Sequence, residues 1–235
     1  MVLTCQGWYR EAEALYTRLL NIEYRVLGKE HPNTLITLGN RSTLYRQEGK
    51  YDLSEASFAD VLAAERRVLG PQHPSTLISM HELALLYLMR HRYAQAEALF
   101  TDVLKSRRRI LGEDHPRTLS TLASLGRVQV EQQKYSEAEV TLRDALSLYE
   151  KTGADIWERF YSQALLGASL MGQKRYPEAE PILIPAYSGM MQRAATIPSA
   201  NRQTIVLSGE RIVALYQAWN KPGKAAEWRA RLGNP

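Results

Sequence analysis

The chain is poor in the residues that mark several function classes. Among its 235 residues there is one cysteine, Cys5, so no intramolecular disulfide can form and nothing favours an oxidising compartment. No apolar run approaches the roughly 18 residues that cross a bilayer, and residues 1–7 lack the basic start and long apolar stretch of a signal peptide. These absences predict a cytoplasmic protein with no membrane partner. There is no glycine-rich phosphate loop and no catalytic-loop or metal-binding aspartate motif, so neither phosphoryl transfer nor any other enzymatic chemistry is expected.

What is present is ordinary globular composition, 45% hydrophobic and 23% charged, with a net charge of +5. The densest basic run is Lys105, Arg107, Arg108 and Arg109, with Arg66 and Arg67, and Arg25, at related places. Each precedes a Leu-Gly pair read below as a helix end, where positive charge offsets the helix dipole. No aromatic residues interleave with these charges, so no nucleic-acid partner is expected.

The informative feature is a repeat. Leu27-Gly28-Lys29-Glu30-His31-Pro32-Asn33-Thr34-Leu35 returns after 42 residues as Leu69-Gly70-Pro71-Gln72-His73-Pro74-Ser75-Thr76-Leu77, and after 42 more from Leu111 to Leu119. A second series keeps the step: Tyr9, Tyr51, Tyr93 and Tyr135, then Tyr176 after 41. Each tyrosine is followed by a small residue (Ala12, Ser54, Ala96, Ala138, Ala179) and then by Tyr16, Phe58, Phe100, Leu142 and Leu183.

Each period predicts two helices. The first spans about 34–48, 75–90 and 117–132, with Leu35, Leu38 and Tyr45 recurring as Leu77, Met80 and Tyr87 at the spacing of a buried stripe. Pro32, Pro74 and Pro116 suit a first helical turn. The second helix runs from about 52 to 68 and stops at Gly70, as its relatives stop at Gly28 and Gly112, glycines free to adopt the left-handed conformation. The small residue permits close helix crossing, and neither helix buries its stripe alone. Stacked repeats sharing one core form a superhelix with a concave face. Placed one per repeat, His31, His73 and His115 would stand apart by about the 8–10 Å of packed helices, whereas a metal holds its ligands within about 2 Å. They are expected to cap or shape the connector, with no metal, cofactor or catalytic residue. Cys5, at the chain's start, is not expected to be reactive.

The segments Tyr9-Arg10-Glu11-Ala12-Glu13-Ala14-Leu15-Tyr16 and Tyr93-Ala94-Gln95-Ala96-Glu97-Ala98-Leu99-Phe100 resemble tetratricopeptide repeats. The 42-residue period and the Leu-Gly-x-x-His-Pro-x-Thr-Leu connector resemble the kinesin-light-chain-like subclass. The resemblance implies an all-α, right-handed α-solenoid of antiparallel helix pairs. It divides the chain into residues 1–152, a lone second helix at 8–27 followed by three full units, and residues 153–235, divergent units with a C-terminal capping helix. Residues 165–181, with the traces at 211–216 and 224–229, are similar to the repeat tails of bacterial serine/threonine kinases, which implies a bacterial source.

Two departures carry expectations. Pro181 and Pro185 fall inside a second helix, where an interior proline costs on the order of 3 kcal/mol, and a kink or break is expected near Pro185. The helix at 8–27 has no first-helix partner, so either the chain is part of something longer or another molecule covers Ala12, Leu15, Tyr16 and Leu19. Glu11, Glu55, Glu137 and Glu178 read as solvated or helix-start charges.

In the resembled family the partner lies against the inner faces of the first helices. Transferred by alignment, that lining is Ile36, Gly39, Thr43, Arg46 and Gln47, then Ile78, His81, Leu85, Leu88 and Met89, then Ser120, Ala123, Arg127, Val130 and Glu131. Beside the core stripe Met80, Leu83, Ala84 and Tyr87, the residues His81, Leu85 and Leu88 form a second apolar stripe about 100° away. Either the winding hides it, or it is a patch flanked by Arg46 and Arg127 for a peptide with hydrophobic anchors and negative charge. Of the paired asparagines usual in kinesin light chains only Asn40 is present, so motor-cargo function does not carry over. The leading expectation is a scaffold binding a partner protein or peptide. A regulatory tail of a kinase and self-association through the N-terminal helix are the alternatives.

Overall fold

The computed structural model describes the backbone of residues 2–233, and the side chains of all of these but residues 2–7 and Ala200. The expectation for Cys5 therefore lies outside the described residues. These residues form eleven α-helices and no strand: α1 Val2–Val26, α2 Pro32–Gln47, α3 Tyr51–Val68, α4 Pro74–Met89, α5 Tyr93–Leu111, α6 Pro116–Glu131, α7 Tyr135–Lys151, α8 Trp157–Gly172, α9 Tyr176–Gln192, α10 Gln203–Ala218 and α11 Pro222–Gly233. They fall into two compact units, residues 1–107 and 108–235. The boundary between them lies within α5, and α7 packs directly on α8 across residue 152.

In the first unit α1 packs on α2, α2 on α3, α3 on α4, and α2 also on α4. In the second, α6 packs on α7 and α8, α8 on α9 and α10, and α10 on α11. Within the units neighbouring helices thus pack on one another, and α2 meets α4, α6 meets α8 and α8 meets α10, the packing of a stacked helical repeat.

The connector motif is a set of interlocking caps. Gly28, Gly70 and Gly112 have φ of 94°, 92° and 94°, and the amides of Gly28 and Gly70 donate back to the carbonyls of Glu23 and Glu65. The hydroxyls of Thr34, Thr76 and Thr118 donate to the carbonyls of these glycines at 2.8–2.9 Å. His31, His73 and His115 are the N-caps of α2, α4 and α6, each Nδ1 accepting the backbone N–H two residues on at 3.1–3.2 Å. The proline after each histidine fills a position whose N–H would have no helical acceptor.

The helices approach closely through two ladders of small residues. Ser54, Ala96, Ala138 and Ala179 are fully buried on the second helices, followed by Phe58, Phe100, Leu142 and Leu183, also buried. On the first helices Ser42, Ala84, Gly126, Gly167 and Gly209 form the matching ladder, all buried. A Cβ on Gly126 would stand 2.6 Å from Leu142, and one on Gly167 would stand 2.4 Å from Leu183. The basic runs are likewise absorbed locally: Arg67 pairs with Glu30, Arg108 with Asp144, and buried Arg107 donates to the Leu77 carbonyl at 3.3 Å.

Two expectations need correction. The break at Pro185 is absent, since α9 is one uninterrupted helix from Tyr176 to Gln192 with Pro181 and Pro185 inside it. Pro177, Pro181 and Pro185 are four residues apart and all exposed, so the carbonyls of residues 177 and 181 that lose their donors lie on the solvent side, where water can satisfy them. The opposite face, with Ala179, Leu183, Ala186 and Met190, is fully buried and holds the helix in place. Glu55 is not a solvated charge either: it binds Arg90 at 2.7 Å and Arg92 at 2.6 Å, and the Arg92 guanidinium lies 4.3 Å over the Tyr87 ring.

Two glycines in equivalent-looking helices should respond oppositely to alanine. At Gly167 the new methyl meets Leu183, and overpacking of about 1–3 kcal/mol outweighs the helix-propensity gain. At Gly39 a Cβ would meet only Ser79 Oγ at 3.7 Å, and Gly39→Ala should stabilise by about 0.5–1 kcal/mol. Urea unfolding of the two variants measures both signs.

Candidate functional site

The face made by α2 and α4 in the first unit contains a cavity of about 140 Å³, lined by Ile36, Gly39, Asn40 and Thr43 of α2, Phe58 and Glu65 of α3, and Ser75, Ile78, Ser79 and Glu82 of α4. Ile36, Gly39, Thr43 and Ile78 are among the positions that alignment assigns to the partner face. Ile36 and Ile78 are exposed there, as is Met89, at 39%. Gly39 helps to keep the cavity open, since it contributes no side chain to fill it.

The remaining predicted residues divide. Arg46 is committed to Glu82 at 2.7 Å, and its other guanidinium nitrogen lies 3.5 Å from Met89 Sδ, so it is not a free cation awaiting an acidic peptide. Thr43 donates to the Gly39 carbonyl at 3.2 Å. Gln47 is exposed and Leu85 half-buried. Arg127, Val130 and Glu131 belong to α6 in the second unit, where Glu131 is exposed and Val130 packs against that unit's core.

His81 and Leu88 do not line an open face, and this corrects their assignment. Leu88 is buried, and His81 is 8% exposed with its ring edge-on to Phe100 at 5.1 Å between centroids. The packing of the pairs covers the second stripe of α4, because a helix apolar on most of its circumference is stable only when covered on most sides. Burial, then the charges of Arg107 and Arg46, push the His81 pKa down to about 3, so the imidazole is neutral at physiological pH.

Sequence reasoning missed the residue at the cavity floor. Glu65 is 1% exposed, accepts the Ser79 hydroxyl, and leaves Oε2 without a partner. Burial holds its pKa above the ordinary carboxylate value, and the Ser79 hydroxyl offsets part of the rise. The signal was available: Glu23, Glu65, Arg107 and Tyr149 are 42 apart, polar where a second helix turns toward its neighbour. Each of three meets a hydroxyl of the next first helix, Thr37 donating to Glu23 at 3.1 Å, Ser79 to Glu65, and Ser162 to Tyr149.

The chain matches the tetratricopeptide-repeat family over residues 1–64, 40–109 and 91–151. Among solved structures it is similar to the nearly identical TPR-like repeats of a kinesin-light-chain candidate from Podosopora anserina, at 24% identity over 81% of this chain and 90% of that one, with a TM-score of 0.69. BtubC (BKLC) from P. vanneervenii is 20% identical over 83% of this chain and 78% of its own, with a TM-score of 0.72. A Rap protein complexed with competence and sporulation factor is 11% identical over 100% of this chain and 72% of its own, with a TM-score of 0.66. No curated protein sequence matches. No helix among the described residues is long and apolar enough to cross a membrane.

The buried imidazole makes stability depend on pH. Unfolded, His81 gains a proton below about pH 6.5, whereas folded it resists protonation down to about 3. The unfolded chain therefore binds more protons in this window, and stability falls as pH drops through it. Replacing His81 with leucine should remove about 2 kcal/mol of the stability difference between about pH 7 and 5, read by urea unfolding at each pH. An unchanged pH slope would mean that the imidazole titrates freely.

Proposed function

Since the chain belongs to the tetratricopeptide-repeat family, we propose that it is a protein-interaction scaffold, working in the cytoplasm without catalysis or cofactor, that holds a partner peptide against the faces of α2 and α4. The observation that carries the reading is the coincidence of an open cavity with exposed Ile36 and Ile78 at positions the family uses for partners. Met89, Thr43, Gln47 and half-buried Leu85 extend that face in the first unit, and Arg127, Val130 and Glu131 are the corresponding residues of α6 in the second. Exposed aliphatic side chains around a small concavity suit a peptide with apolar anchors. The likeness in fold to a Rap protein solved with competence and sporulation factor supports a fold that accommodates a bound partner.

Peptides selected from a random display library against the full chain provide the test. The double variant Ile36→Glu, Ile78→Glu should lose about tenfold or more in affinity, near 1.4 kcal/mol, while helicity and melting temperature hold, because both residues are exposed. Peptides that bind the variant as well as the wild type would move the site elsewhere. Leu88→Glu is no substitute, since Leu88 is buried and its replacement should unfold the unit.

A second reading rests on α1. Trp8, Leu15, Leu19, Ile22 and Val26 are exposed, Trp8 at 71% and Leu15 at 63%, and their spacing of seven, four, three and four is that of a coiled-coil seam. Of the stripe expected, Leu15 and Leu19 are open, whereas Ala12 and Tyr16 are half-buried and Ile22 and Val26 extend the exposed face. Sedimentation equilibrium should show association that Leu15→Lys with Ile22→Lys abolishes. A wild-type chain that stays monomeric at high concentration would sink this reading.

A further inference from the structure

The cavity between α2 and α4 is lined by a carboxyl whose second oxygen the fold leaves unpaired. Glu65 lines it, is 1% exposed, and carries Oε2 with no hydrogen-bond partner. Buried polar atoms are nearly always paired, and an isolated carboxylate oxygen away from water is unfavourable. Ile36, Phe58 and Ile78 supply apolar walls, whereas Asn40, Thr43, Ser79 and Glu82 supply oxygen atoms that can accept hydrogen bonds. None of the side chains lining the cavity is a lysine or arginine. Glu82 is already neutralised by Arg46 at 2.7 Å, which leaves Glu65 as the uncompensated carboxyl.

The volume, about 140 Å³, is near the ~150 Å³ of an engineered cavity that admits benzene and well below the roughly 300 Å³ at which small-molecule sites begin. It takes one unbranched side chain. Resting on the reading that a partner docks on this face, we propose that the cavity is an anchor pocket for a lysine side chain of the partner, its alkyl stem between Ile36, Phe58 and Ile78 and its ammonium donating to Glu65 Oε2. Lysine fits better than arginine because the ammonium is a compact point charge on a flexible stem, while guanidinium is a broad planar fork. Three N–H donors match the free Glu65 oxygen and the neighbouring acceptors. This differs from the acidic peptide that the sequence led us to expect, because Arg46 is engaged with Glu82.

The probe is Nα-acetyl-lysine N-methylamide, titrated into the full chain at neutral pH and followed by the isoleucine methyl resonances. Saturable shifts are expected at Ile36 and Ile78, weakened about tenfold by Glu65→Gln, which keeps the size of the side chain and removes its charge. Gly39→Leu should also abolish binding by filling the cavity, since a Cβ there meets only Ser79 Oγ at 3.7 Å. Thermal melting checks both folds, and if the glutamine variant unfolds the leucine variant decides. Nα-acetyl-norleucine N-methylamide, which keeps the stem without the charge, should bind far more weakly. Equal binding of norleucine and lysine probes, unchanged binding in a folded Glu65→Gln chain, or no saturable shift at Ile36 and Ile78 would overturn the proposal. Display-selected peptides separate the two claims. Peptides that depend on Ile36 and Ile78 but tolerate norleucine at every lysine overturn the pocket and leave the docking face standing.

Discussion

Two helix backbones can pass close to one another only where the residue at the crossing is small, and in this chain that requirement is met twice in every repeat. Ser42, Ala84, Gly126, Gly167 and Gly209 open the first helices, while Ser54, Ala96, Ala138 and Ala179 open the second. Phe58, Phe100, Leu142 and Leu183 fill the gaps so created. Because each hairpin leaves a stripe uncovered until the next one stacks on it, packing within the units is local and serial. The histidine-capped connectors then fix where α2, α4 and α6 start, and so where the side chains of α2 and α4 emerge.

That fixed register builds the face on which docking is proposed. α2 and α4 present equivalent positions side by side, with Ile36 and Ile78 exposed, and differ where it matters: Gly39 has no side chain where α4 places His81. One helix therefore leaves a hollow, and the other buries an imidazole against Phe100. The hollow is lined by Glu65, a buried carboxyl that accepts the Ser79 hydroxyl and leaves Oε2 unpaired. A buried carboxyl with one unpaired oxygen beside an open cavity is where this repeat offers a partner more than a filled core would.

Much of this was legible in the sequence, because a strict period turns single residues into patterns. The helices, the turn glycines, the capping histidines and the small-residue ladder could all be read from steps of 42. Two features could not, and a third was legible but overlooked. Whether His81 and Leu88 are covered depends on how tightly neighbouring pairs pack, which hydropathy along one helix does not specify. The continuity of α9 depends on Pro177, Pro181 and Pro185 sharing its solvent side, a consequence of register that the usual cost of an interior proline conceals. Glu65 was overlooked because a glutamate near a helix end ordinarily means a solvated charge. Only alignment of positions 23, 65, 107 and 149 singles it out as a recurring buried polar site.

The central claim, that partners dock on the α2–α4 face, is tested most directly by mapping a bound peptide on the isotope-labelled chain. Methyl and amide perturbations should cluster at Ile36, Gly39, Thr43, Ile78 and Met89, and the intermolecular contacts should fall on the same residues. Perturbations and contacts confined instead to the exposed surfaces of α3 and α5, with Ile36 and Ile78 unchanged, would contradict it.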